Sequence, residues 1–292
     1  MEIPISALLQ VLISGTLLGG VYALVSVGLT LIYGVMDVVN FAQGELLMIS
    51  MYISYWIWFL FGLDPLIALP VATIILFLIG TGIQKILINP VLKTETFVSQ
   101  VFVTFGLLLF LQNLAFTVWS AEFRMVTTSY TGTTIPIGGA LVSIPRLLAF
   151  IIAVLATLVL YIFLNRTDVG LALRATSQSK EAAEILGVNV HNMYLLAFGI
   201  GAACTGVAGA LVSTFFYITP QVGLVFIIVA FVAVVLGGLG NYVGALFGGI
   251  IIGITESVGV LIIGSGLKQT VYLIIFVIIL LFRPQGLLGG RR

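Results

Sequence analysis

Nine predominantly apolar runs divide the chain: 8–34, 42–61, 65–86, 98–119, 146–164, 192–213, 222–239, 242–263 and 267–282. A membrane-crossing helix needs about 20 apolar residues. Lipid leaves no water for unpaired backbone groups, so runs of this length must close their own hydrogen bonds as helices. Polar punctuation separates them. Asp64-Pro65 marks a sharp turn, residues 120–145 form a Thr-rich loop, and residues 165–191 are markedly polar. The pattern predicts an all-α polytopic integral membrane protein of about nine transmembrane helices (eight to ten). The long first run and the Gly237-Gly238-Leu239-Gly240 junction set that range.

Composition sharpens the picture. Of 292 residues, 61% are hydrophobic and 7% charged, whereas soluble domains run near a quarter charged. A formal net charge of +1 argues against nucleic acid as a partner, which demands a basic surface. Cys204 is the single cysteine and lies in an apolar run, where it reads as a small buried hydrophobe. No Lys or Arg precedes the first apolar run, so that run is expected to persist as a span rather than act as a cleaved signal.

Charge also orients the chain. If 165–191 is cytoplasmic, then Lys85, Lys93, Arg166, Arg174, Lys180, Arg283, Arg291 and Arg292 fall inside, and only Arg124, Arg146 and Lys268 fall outside. The positive-inside rule then predicts an outer N-terminus and an inner C-terminus.

Residues 165–191 carry six of the 21 charged side chains (11 basic plus 10 acidic) and the only histidine. Ser177 or Ser179 can cap a short helix there, with Ala182, Ile185 and Leu186 as an apolar stripe at i, i+3 and i+4. Gly187 can end it in a left-handed turn. Such a stripe in water needs a groove on a partner, or else a membrane surface to lie on. His191 has neither a nucleophile nor a second ligand beside it and reads as a solvated histidine at a helix start.

A second polar stretch, DVVNFAQGE (37–45), separates the first two runs. Asn40 and Gln43 have the spacing of a capping box, and Glu45 falls where a helix dipole favours negative charge. These three residues are candidates either for a helix start or for the lining of a transport path. Glu256 lies mid-run, where an unpaired carboxylate is costly. It must face protein, water or a partner, as an interhelical hydrogen bond or as part of a path. Gln112 and Asn113 are expected to bond between helices. Many of the 33 glycines lie inside spans, as close helix packing requires. A faint echo relates 33–48 to 237–252 and suggests a parallel repeat. No GxxxxGK[ST] loop is present, so energy for active transport must come from a partner or an ion gradient.

Three segments together, GLTLIYGVMDVVNFAQGELLM (28–48), VGLALRATSQSKEAAEILGVN (169–189) and FRPQGLLG (282–289), resemble the branched-chain amino acid ABC importer permeases of the LivH type. The resemblance spans nearly the whole chain, in order. It implies a single permease domain over 1–292 in the cytoplasmic (inner) membrane of a prokaryote. It implies a LivM-like second permease, two ATP-binding subunits that hold ATP and Mg, and an extracytoplasmic solute-binding protein. This chain would carry no cofactor and no catalytic residue. The docking role in the family falls on Glu181, Ala182, Ala183 and Gly187, which would place a helix in a cleft of the ATPase. The 40–45 segment matches the first re-entry into the membrane in the family. Related permeases serve urea and short amides. An ion-coupled secondary carrier working through Glu45 and Glu256, and a scaffold that recruits a cytoplasmic protein, are the readings from other classes.

Overall fold

The computed structural model describes residues 4–92, 96–283 and 285–288. Lys93, Arg291 and Arg292, Pro284 and Gly289 of the C-terminal motif, and the side chain of Lys268 lie outside the described residues.

Each apolar run forms a helix. Helix α1 (Ile5–Met36) is followed by α2 (Gln43–Phe61), then α3 (Pro65–Ile83), a π turn (Gln84–Ile88) and the short α4 (Asn89–Leu92). Pro90 has no N–H to give back to Ile86, and the hydrogen-bond register slips just ahead of it. Helix α5 (Phe97–Trp119) precedes the outer loop, and α6 (Ile144–Arg166) follows it. Then come α7 (Asp168–Gln178), α8 (Lys180–Ile185), α9 (Val190–Val212), α10 (Val222–Gly237), α11 (Tyr242–Ile263) and α12 (Lys268–Phe282). Among the described residues, seven helices are long and apolar enough to cross a membrane, and two shorter apolar ones lie at 222–237 and 269–282. The nine runs read from the sequence are thus all helical.

The loop at 120–145 holds a small hairpin, β1 (Thr134–Ile137) paired antiparallel with β2 (Ala140–Ser143). Gly138 and Gly139 both have positive φ, as a two-residue primed turn requires. Gln10 of α1 clasps β2 by accepting from Leu141 N and donating to Leu141 O. Arg124 exchanges both backbone hydrogen bonds with Ile218, and its guanidinium lies 5.3 Å from the ring centres of Tyr55 and Trp56. The Tyr130 hydroxyl donates to Asp64 Oδ1 at 2.8 Å, and burial beside that carboxylate holds its pKa above the ordinary phenol value.

The packing has an internal order. Helix α1 packs along α11 as α9 packs along α3, and α1 meets α10 as α9 meets α2. Helix α2 lies against α3 as α10 lies against α11. The two triads, α1-α2-α3 and α9-α10-α11, therefore exchange places around two central crossings. At the first, a Cβ on Gly28 would sit 2.8 Å from Gly201 O, and one on Gly201 would sit 2.8 Å from Gly28 O. Bare backbones are what let α1 and α9 approach so closely. At the second, a Cβ on Gly44 of α2 would overlap the carbonyl oxygen of Gly223 in α10. Successive spans alternate in direction, so the exchange turns one triad upside down relative to the other. The parallel repeat expected between 33–48 and 237–252 is not this one. Those segments share a helix–turn–helix outline, but the packing pairs α1 with α9.

The C-terminal motif has a packing role. Leu287 N donates to Leu236 O at 2.7 Å, and Leu288 N donates to Gly237 O at 3.3 Å. These are among the carbonyls that the end of α10 leaves unpaired. Asn241 caps α11 through Gly244 N at 3.0 Å and donates to Leu288 O at 2.7 Å.

Candidate functional site

Two places gather the chemistry-bearing residues. The first is the polar face around α7 and α8. Thr167 caps α7 by accepting from Gly170 N at 3.0 Å. Ser179 caps α8 by accepting from Ala182 N at 3.2 Å, so Ser179 is the cap and Ser177 instead donates to Arg174 O. Gly187 has φ +84. Its N–H reaches Glu184 O and that of Val188 reaches Ala183 O, which closes the helix in a left-handed turn that an L side chain would strain. Helix α8 is thus stopped at both ends.

Its faces are sharply divided. Ala183 is buried at 1%, whereas Ile185 and Leu186 are 85% and 79% exposed. Glu181 and Ala182 are also exposed. The expected stripe of Ala182, Ile185 and Leu186 faces away from the protein, and Ala183 holds the helix to it. Lys180 Nζ lies 3.7 Å from Asp37 Oδ2. Asp37 ends α1 with φ +57, a left-handed conformation that a short polar side chain tolerates. A cleft of about 1100 Å³ opens beside this pair, lined among others by Tyr33, Asp37, Glu181 and Tyr242. The sequence showed neither α7 as a separate helix nor the Lys180–Asp37 link. A Ser cap followed by six helical residues marks α8, but nothing local says which charge faces it.

The second place is the start of α2. Asn40, Gln43 and Glu45 are all 0% exposed. Asn40 is not the N-cap, because Ala42 takes that position. Asn40 Oδ1 accepts from Ala42 N at 3.2 Å, and its Nδ2 donates to Gln43 Oε1 at 2.9 Å. Gln43 Nε2 then donates to Gly201 O at 2.9 Å. Gly201 is midway along α9, so α2 begins deep in the bundle and not at its polar face. Both oxygens of Glu45 are buried and accept no hydrogen bond among the described residues. The carboxyl lies over the bare Cα of Gly223, in the first turn of α10.

Glu256 lies elsewhere. Tyr22 Oη donates to Glu256 Oε2 at 2.7 Å across the α1–α11 seam, and Tyr22 also packs edge-on against Phe226. The structure does not bring Glu256 to Glu45. Asn113 corrects a different expectation. Its Nδ2 donates to Leu109 O of its own helix at 2.7 Å, on an exposed face. An amide on the lipid-facing side of a span would be costly without a partner, and the i−4 carbonyl satisfies this one locally. Among the described residues no cluster of His, Cys, Asp and Glu could hold a metal.

Residues 11–282 match the family described as the permease component of branched-chain amino acid transport systems. The chain belongs to this family. It is 32% identical to the high-affinity branched-chain amino acid permease protein BraD of Pseudomonas aeruginosa, over 96% of this chain and 95% of the relative. Against LivH of Escherichia coli K12 the identity is also 32%, with 96% and 95% covered. Against the probable LivH permease of Methanocaldococcus jannaschii it is 30%, with 91% and 88% covered. No solved structure matches. The chain is a multi-pass inner-membrane permease subunit of an ABC transport system. It is not itself an ATPase and carries no cofactor of its own, and it works with other transporter subunits. The three segments that carried the resemblance occupy the two candidate places and the α10–α11 staple.

Proposed function

We propose that this permease moves leucine, isoleucine and valine inward by alternating access, with its N-terminus outside and its C-terminus inside. A LivM-like second permease completes the membrane unit. Of two ATP-binding subunits, one docks on α8 and the other on the second permease, and an extracytoplasmic binding protein delivers the solute. The observation that carries this reading is the capped helix α8, whose Ile185 and Leu186 are left exposed. Exposed side chains of this size on an otherwise polar loop fit a hydrophobic groove on a partner. ATP-driven closure of the ATPases would displace α8, and the contact between Lys180 and Asp37 would pass the motion to the end of α1. The residues 40–45 then line the switching region.

The test is Gly187→Val in the assembled complex. The account expects ATP hydrolysis to persist while leucine uptake per ATP falls, because a β-branched residue at positive φ distorts the end of α8. Normal coupled uptake would overturn the docking assignment. Stimulation by urea or a short amide instead of leucine would keep the docking and replace the solute.

A further inference from the structure

A buried carboxyl that accepts no hydrogen bond in one state of the cycle is open to a partner in another. Glu45 is 0% exposed, both its oxygens lack a hydrogen-bond donor, and among the described residues it is in no ion pair. It is not held as Glu256 is held by Tyr22. Its surroundings are unusual in another way. It lies in the first turn of α2 and against the first turn of α10, where a Cβ on Gly223 would fall 2.6 Å from Glu45 Cδ. Two helix starts therefore meet in mid-bundle around one acidic group. Each first turn carries amides with no partner further back in its helix, and each bears positive dipole character. Discontinuous helices whose starts point at a common spot near mid-membrane are a general way to bind a polar solute there.

We infer that Glu45 and the facing first turns of α2 and α10 form the solute-reading point of the path, where Glu45 accepts the primary ammonium of an amino acid zwitterion. The turn amides are the counterpart for its carboxylate. This rests on the amino acid reading above and adds the residue that reads the charged end of the solute. The Gly44–Gly223 contact closes the point in the present conformation, and separation of α2 from α10 admits the solute. The small residues on both sides keep the backbones reachable, as a carboxylate held by amides requires. The aliphatic end then faces the apolar side chains of the path and adds limited discrimination, about 10–200-fold per methylene. A charged end is read far more sharply.

The experiment uses the complete complex in proteoliposomes, with Glu45→Gln and Glu45→Asp compared with the parent. Glu45→Gln is expected to lower leucine uptake at least roughly 30-fold, the scale of losing one buried charge partner, with assembly of the complex retained. Glu45→Asp is expected to recover part of the uptake, because it restores the charge. Undiminished uptake by Glu45→Gln overturns the inference. If Glu45→Gln fails to assemble, the parent complex decides through displacement of labelled leucine without the binding protein. The expected displacer is 3-methylbutylamine, which keeps the ammonium and lacks the carboxylate. Equal displacement by 4-methylpentanoate, which lacks the ammonium, overturns the inference. If the parent complex takes up no branched-chain amino acid at all, the underlying solute reading fails instead.

Discussion

Lys180 Nζ and Asp37 Oδ2 stand 3.7 Å apart, so the first residue of α8 is tied to the residue that ends α1. Both side chains are about half exposed. Such a pair adds at most about 1 kcal/mol to stability, so its use must lie in geometry. Lys180→Glu is expected to leave the thermal midpoint of the complex nearly unchanged while lowering leucine transported per ATP hydrolysed. The double variant Lys180→Glu with Asp37→Lys should restore part of that coupling. Full coupling in Lys180→Glu would show that the contact transmits nothing.

The exposed face of α8 gives a second prediction. Ile185→Asp and Leu186→Asp place charge on side chains that this chain leaves largely exposed. Subunit folding should be unaffected, within about 0.5 kcal/mol for exposed positions. Co-purification of the ATP-binding subunits should fall steeply. Retention of those subunits at the parent level would place the docking surface elsewhere.

Tyr22 and Glu256 predict a stability effect without a transport effect. Tyr22→Phe removes the donor at 2.7 Å from a carboxyl that is 4% exposed. The loss is expected to be about 1–3 kcal/mol, read as a lower unfolding midpoint in detergent. Uptake per assembled complex should stay near the parent value. A selective loss of uptake would place Glu256 in the transport path.

The glycines separate into two kinds, and this can be measured. A methyl on Gly44 would overlap the Gly223 carbonyl oxygen, whereas nothing lies within 4 Å of a Cβ on Gly106 in α5. Gly44→Ala is expected to cost about 1–3 kcal/mol through overpacking. Gly106→Ala should stabilise by up to about 1 kcal/mol, as alanine does in a helix. Equal effects at the two positions would contradict the close α2–α10 approach.

Much of this architecture could be read without coordinates. Lipid forces long apolar runs to be helical, so all nine runs were legible, and local rules bracketed α8 between Ser177 or Ser179 and Gly187, with the structure choosing Ser179. Depth was not legible. Asn40, Gln43 and Glu45 look like an interfacial helix start, yet Gln43 bonds to Gly201 in another helix 158 positions away. Only the crossing of α1 and α9 sets that depth. The exchange of triads was hidden for the same reason, because it lives in which helices touch and not in matched residues. The hairpin at Gly138-Gly139 carried a clear turn signal, which the Thr-rich loop around it masked. Asn113 misled because an amide in a span suggests a partner helix, while its own backbone was within reach.

The central claim is that this permease couples ATP hydrolysis by docked partners to entry of branched-chain amino acids. The most direct measurement is purification of the chain from its native membrane, with identification of co-purifying subunits, then ATP turnover and uptake with leucine-loaded binding protein in proteoliposomes. The account predicts two ATP-binding subunits and a second permease, with leucine raising turnover and accumulating inside. A chain that purifies alone, and whose uptake stops when the ion gradient collapses, would contradict it.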